Sequence, residues 1–186
     1  MNHSRIIFRK TINSLLLSGI FASLLPFYIN PSKALEFQWS PNDGYKRLKW
    51  YQRTATKNYK NKIFLFLRPN DRNTGLLSIN IKIPDKFKSS IKTKNITFCK
   101  ANVGGYRSKS KCITNIPSDI VLNKDTKKIE IYPISPVPSD KETYAVVFKI
   151  TNPQKSGLYQ FHSFGKSSGP IPVSSYIGSW TITIDP

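Results

Sequence analysis

The chain has 186 residues, with 29 Lys and Arg against ten Asp and Glu and 39% hydrophobic residues. Two cysteines and two histidines are too few ligands for a metal centre, and scattered single carboxylates give no paired acid and base. A formal charge of +19 points instead to anionic surroundings, and it says nothing about fold.

Residues 1–34 read as a secretory leader. Arg5, Arg9 and Lys10 form a positive start, an apolar stretch runs from Ile12 to Leu25, and Pro26 and Pro31 end it. Ser32-Lys33-Ala34 places small residues where a signal peptidase reads, so cleavage is expected after Ala34. The competing reading is a transmembrane anchor, but the apolar core is roughly 14 residues and spanning needs about 20. No twin-arginine pair precedes the core and no Cys stands near the cleavage site, which favours the general secretory route without a lipid anchor. The mature chain is then periplasmic or extracellular, without a transmembrane segment. Its charge is about +15, because the leader takes four basic residues and no acidic ones. Glu is scarce in what remains, at Glu36, Glu130 and Glu142.

Residues 35–61 form an irregular basic and aromatic arm. From 62 to 186 the chain alternates short apolar runs with Pro, Gly, Asn and Ser, the pattern of strands and turns. Strands are expected at 62–68 (KIFLFLR), 77–83 (LSINIKI), 95–101 (NITFCKA), 128–132 (KIEIY), 143–151 (TYAVVFKIT), 157–163 (GLYQFHS) and 176–184 (YIGSWTITI). Period-two alternation is plain in the second, where Leu77, Ile79, Ile81 and Ile83 share a face. In the last, Trp180, Ile182 and Ile184 oppose Thr181 and Thr183. Residues 151–157 read as a hairpin turn, 133–138 (PISPVP) as a stiff connection, and 164–172 (FGKSSGPIP) as a loop. No helical periodicity is sustained; 86–91 (KFKSSI) offers at most one turn. Seven strands with short turns fit a single all-β antiparallel sandwich of immunoglobulin-like type, with a small β-barrel as the alternative.

Cys99 and Cys112 are an even pair in an exported chain, which favours a disulfide over metal binding. Between them Lys100, Arg107, Lys109 and Lys111 make a basic loop, with Gly104-Gly105 at its tip.

The strongest local anomaly is the arm itself. Lys46, Arg47, Lys49, Trp50, Tyr51, Arg53, Lys57, Tyr59 and Lys60 interleave cations with rings. Cations neutralise an anionic polymer while rings stack on sugars or bases. The plainer reading packs Trp50 and Tyr51 on the sandwich and leaves the lysines solvated. Nucleic acid is not expected as a partner outside the cell; an acidic glycan or lipid surface, or a partner protein, is. His162 lies in a strand with no Ser or Cys nucleophile motif around it, and Asp43 and Asp71 stand in turn contexts. No catalytic residue, metal or cofactor is assigned.

The C-terminal third carries a resemblance. Residues 146–153 (VVFKITNP), then Ser156-Gly157-Leu158-Tyr159-Gln160-Phe161, then Tyr176-Ile177-Gly178-Ser179-Trp180, resemble the cyanobacterial exported proteins of domain-of-unknown-function family 2808. Lys82-Ile83-Pro84 is similar to the short strand ending in proline near that family's start. The likeness runs from Phe64 to Ile184 and implies an exported β-rich domain without a defined activity. The basic arm before Lys62 and the paired cysteines are not features of that family as a whole. Asn152 and Gly157 are read as turn formers, and Tyr159, Phe161 and Trp180 as core. The expectation is a non-enzymatic envelope protein that binds an anionic surface or partner. The alternatives are an assembly module pairing through a strand edge, and an envelope hydrolase.

Overall fold

The computed structural model describes residue 44 and residues 46–186. The expected leader, its cleavage after Ala34, and the arm at 35–43 and 45 lie outside the described residues. Within them, ten strands build two antiparallel sheets. The first sheet runs β1 (Trp50–Gln52), β2 (Lys60–Leu67), β8 (Tyr144–Thr151), β4 (Ile96–Asn102), β5 (Lys111–Asn115). The second runs β10 (Ser174–Ile184), β9 (Gly157–Ser167), β3 (Leu76–Lys82), β7 (Lys128–Pro133), β6 (Ser118–Asn123). This is an immunoglobulin-like sandwich. The sheets stay separate, so the barrel alternative is set aside.

The alternation that marks the strands also makes the core. Ile63, Leu65 and Leu67 of β2 and Val146, Phe148 and Ile150 of β8 face inward. They meet Ile79 and Ile81 of β3, Phe161 of β9 and Trp180, Ile182 and Ile184 of β10. Trp180 is fully buried, and its indole N–H donates to the Phe66 carbonyl at 3.0 Å, tying one sheet to the other. The opposite side chains of the first sheet form a second apolar layer: Phe64, Phe66, Cys99, Ala101, Ala145 and Val147. The Cys99–Cys112 disulfide forms there and anchors the loop that follows β4.

Residues 46–56 are more than an arm laid on the sandwich. Arg47 bridges in parallel to Ser179 of β10, with Leu48 N–H donating to the Ser179 carbonyl and Ser179 N–H to the Lys46 carbonyl, both at 2.8 Å. The chain then crosses to the first sheet as β1, Trp50 opposite Leu65 and Tyr51 opposite Phe64. It returns to the end of β10 at Thr56, which bridges Asp185 just beyond that strand. One segment thus closes the side of the sandwich where β1 and β10 stand at the sheet edges.

Three expectations need correction. Residues 151–157 do not make a hairpin: β8 and β9 belong to different sheets, so this turn carries the chain between them. The 164–172 loop is shorter, because β9 continues to Ser167. The turn at 86–91 shrinks to Phe87 N–H on the Pro84 carbonyl, and 3-10 turns form instead at Pro69–Asp71 and Thr93–Asn95.

Candidate functional site, a cationic pole

The two ends of the sandwich differ in how charge is arranged. At the end where Leu67 pairs with Tyr144, cations and carboxylates meet. Arg68 holds Asp71 at 3.0 Å, Arg72 holds Asp140 at 3.4 Å, and Lys100 holds Glu142 at 2.8 Å. Asp140 also accepts from the Tyr144 hydroxyl at 2.8 Å; burial and this carboxylate push the Tyr144 pKa up to about 12.

The opposite end, where Lys60 pairs with Thr151, gathers like charge. Lys62 of β2 stands directly opposite Lys149 of β8, and Arg53 N–H donates to the Lys62 carbonyl at 3.1 Å, so three cations cross three neighbouring chain segments. In the second sheet Lys82 of β3 stands directly opposite Lys128 of β7. Like charges in direct register destabilise a sheet. Each of these lysines points away from the core between the sheets, and the folding register makes them neighbours. Lys62 also lies over the Phe64 ring at 4.9 Å. Lys127 pairs with Asp85 at this end, at 2.7 Å, and holds the Asp85 carboxyl below the usual carboxylate range.

Two clefts open here and share Lys60. One, about 360 Å³, is lined by Lys60, Lys92, Lys94 and Lys149. The other, about 530 Å³, is lined by Arg53, Thr54, Asn58, Tyr59 and Lys60. Among the described residues neither lining contains a carboxylate. The segment 53–56 is fixed by two buried amides. Asn61 Oδ1 accepts from the Arg53 and Thr54 N–H groups at 3.1 and 3.3 Å, and its Nδ2 donates to Asn152 Oδ1 at 2.9 Å. Asn152 Nδ2 donates in turn to the carbonyls of Thr54 and Thr56, at 3.2 and 2.8 Å. Asn152 is therefore a clamp on the arm as well as the start of a turn.

The nine arm candidates separate. Lys46 belongs to the opposite end, donating to the Asn70 carbonyl at 2.9 Å. Arg47 and Lys49 are exposed on the closing segment. Trp50 turns inward onto the core, as the plainer reading has it. Tyr51 turns outward beside Phe64 and, with Gly104 to Ser110 of the disulfide-closed loop, lines a cleft of about 330 Å³. Arg53, Lys57, Tyr59 and Lys60 reach the cationic end, where Tyr59 is 64% exposed. Sequence reasoning missed Lys92, Lys94, Lys149, Lys82 and Lys128 as members, since nothing in a linear pattern joins them to the arm.

His162 accepts or donates at Nδ1 to the Ser179 hydroxyl at 2.8 Å, and that hydroxyl meets Tyr176 at 2.6 Å. Burial, then the nearby Lys82, push the His162 pKa below its ordinary value. Among the described residues no carboxylate joins this set, and Ser179 is fully buried, so the arrangement has neither the orienting acid nor the accessible nucleophile of a hydrolytic triad there. Among the described residues no three His, Cys, Asp or Glu side chains gather as a metal would need, and no helix is long and apolar enough to cross a membrane.

No curated protein matches the chain. Solved structures do. The bacterial hydrophobin BslA is similar at 16% identity and a TM-score of 0.46, over 76% of this chain and 95% of that one. The collagen-binding domain of a Staphylococcus aureus adhesin is similar at 15% identity and a TM-score of 0.40, over 74% and 97%. The fimbrial subunit MyfA of Yersinia enterocolitica is similar at 15% identity and a TM-score of 0.32, over 74% and 96%. The family match is broader at its start than the likeness read from the sequence. It takes in the arm from residue 37, and it shows that the chain belongs, over residues 37–184, to DUF2808, a family described as protein of unknown function.

Proposed function

We propose that this chain is exported and acts as a non-enzymatic envelope protein, docking its cationic pole on an anionic surface such as lipid headgroups or acidic polymer. The likeness to exported cyanobacterial proteins and the Cys99–Cys112 disulfide support the compartment. One observation carries the rest: Lys62 faces Lys149 and Lys82 faces Lys128 at the same end of the molecule. Each such pair costs stability on the order of 0.2–1 kcal/mol, and an anion lying across them removes that cost. Lys60, Lys92, Lys94 and Arg53 extend the same surface, with Tyr59 available for stacking.

The test is retention of the mature chain on phosphatidylglycerol vesicles and on immobilised dextran sulfate at low and high salt. The Debye length falls from about 10 Å at 0.1 M to about 3 Å at 1 M, so retention should disappear over that range. No retention at low salt, or retention indifferent to salt, contradicts the proposal. A second reading, assembly through a strand edge, rests on β5 and β6, the outermost strands on one side, which expose Ile113 (58%) and Val121 (48%). It requires a dimer that persists in high salt.

A further inference from the structure

The connection from β3 to β4 crosses the pole between the sheets. Phe87 drops from it into the core, edge-on to Tyr159 at 5.0 Å and to Phe161 at 4.9 Å. Between this connection and the turn joining β6 to β7 lies a half-open cavity of about 570 Å³. Its inner wall is apolar: Ile83 and Phe87 are buried, and Ile91 and Leu122 are half-buried against the core. Its rim is cationic, with exposed Lys88, Lys92 and Lys124. The carboxylate in the lining, Asp85, is already matched by Lys127.

We infer that this cavity holds the acyl chain of a single-chain anionic amphiphile, a long-chain fatty acid or its like, with the anionic head on the lysine rim. The inference rests on the reading of the pole as anion-binding and names what kind of anion it takes. A soluble polyanion uses the rim and has no use for the wall; a neutral lipid uses the wall and has no use for the rim. An amphiphile satisfies both. The volume falls within the usual range for small-molecule pockets, roughly 300–1,000 Å³. The head also reaches further charge, because Ser90 and Lys92 are shared with the cleft lined by Lys60, Lys94 and Lys149.

The experiment is titration of the full mature chain with palmitate, laurate and hexadecanol, each below its aggregation concentration, and separately with dextran sulfate. A fully buried methylene tightens binding about fourfold, so a chain half in water gains about twofold per methylene and laurate should bind about fifteenfold more weakly than palmitate. Hexadecanol, lacking the charge, should bind at least tenfold more weakly. Ile91→Glu should abolish palmitate binding and leave dextran sulfate binding in place. Should that variant fail to fold, the surface variant Lys88→Glu/Lys124→Glu decides, with palmitate weakened at least tenfold. Chain-length indifference, equal binding of palmitate and hexadecanol, or insensitivity to these substitutions overturns the inference. Dextran sulfate binding without palmitate binding refutes the inference and leaves the pole reading standing. Palmitate binding without dextran sulfate binding refutes the pole as a general anion surface.

Discussion

Replacing Asn152 by Ala tests whether the arm is held by the buried amide pair. The side chain is 2% exposed and makes three hydrogen bonds, one with Asn61 and two with the carbonyls of Thr54 and Thr56. Truncation orphans the Asn61 amide in a dry site, which costs about 1–3 kcal/mol, and removes two bonds worth about 0.5–1 kcal/mol each where water re-solvates the carbonyls. The sum is about 2–5 kcal/mol, or a fall of roughly 6–12 °C in Tm for a loss near 3 kcal/mol in a domain of this size. Urea unfolding reads the loss, and amide exchange at Arg53 and Thr54 locates it. Asn152→Asp separates the clamp from a turn former. Asp is as good a turn residue as Asn, but it would aim a carboxylate at two carbonyls that now receive N–H donors, so it should be at least as damaging as Ala at neutral pH. A loss under about 0.5 kcal/mol for Ala, with unchanged exchange at 53–54, refutes the clamp.

Three further outcomes follow from the same structure. Gly178 has φ +155, and a Cβ there would stand 2.7 Å from the Lys46 carbonyl oxygen and from Leu48 Cγ, so Gly178→Ala should cost on the order of 3 kcal/mol and deprotect the Leu48 amide; wild-type stability in urea would contradict this. Cys99→Ala/Cys112→Ala should lower stability by about 3 kcal/mol, because the bridge closes a loop of sequence separation 13; a loss below about 1 kcal/mol in matched unfolding curves counts against it. His162 has a depressed pKa when folded, so the unfolded chain binds the proton more readily. Its contribution is complete above the ordinary His value of about 6.5 and is lost as pH falls below it. His162→Gln should flatten the stability curve between about pH 7 and 5, and an unchanged slope would show that other groups carry it.

Much of the fold was legible because the core strands are apolar runs bounded by turn residues. The runs around Ile79, Ile131, Phe161 and Trp180 declare themselves by alternation and those around Phe64 and Val146 by continuous apolar stretches buried on both faces; these and the run around Phe98 become strands within a few residues of their expected ends. The three unforeseen strands are all sheet edges. β1 is three residues inside a cationic stretch, and β5 and β6 are mostly exposed or half-buried, so hydrophobic patterning has little to mark. The hairpin expected at 151–157 failed for another reason: Asn152, Pro153 and Gly157 signal that the chain reverses, and say nothing about which sheet receives it. The candidate site was half legible. Clustered cations in the arm are visible in one dimension, whereas Lys149 joins Lys60 only through strand register and Lys94 only through the 3-10 turn that lines the same cleft. Asn152 and Gly178 look like turn or motif residues, and their contacts with residues 46–56 belong to tertiary structure.

The central claim is that charge placed at one end, rather than total charge, directs this protein to anionic surfaces. Two triple variants with the same change in net charge decide it. Lys60→Glu/Lys94→Glu/Lys149→Glu reverses the pole, and Lys111→Glu/Lys141→Glu/Lys166→Glu reverses exposed lysines elsewhere. Each lysine at an anionic membrane surface contributes about 1 kcal/mol, so partition onto phosphatidylglycerol vesicles at 0.1 M salt should fall on the order of 100-fold or more for the pole variant. The second variant should lose less than about fivefold. Equal losses for the two would contradict the account.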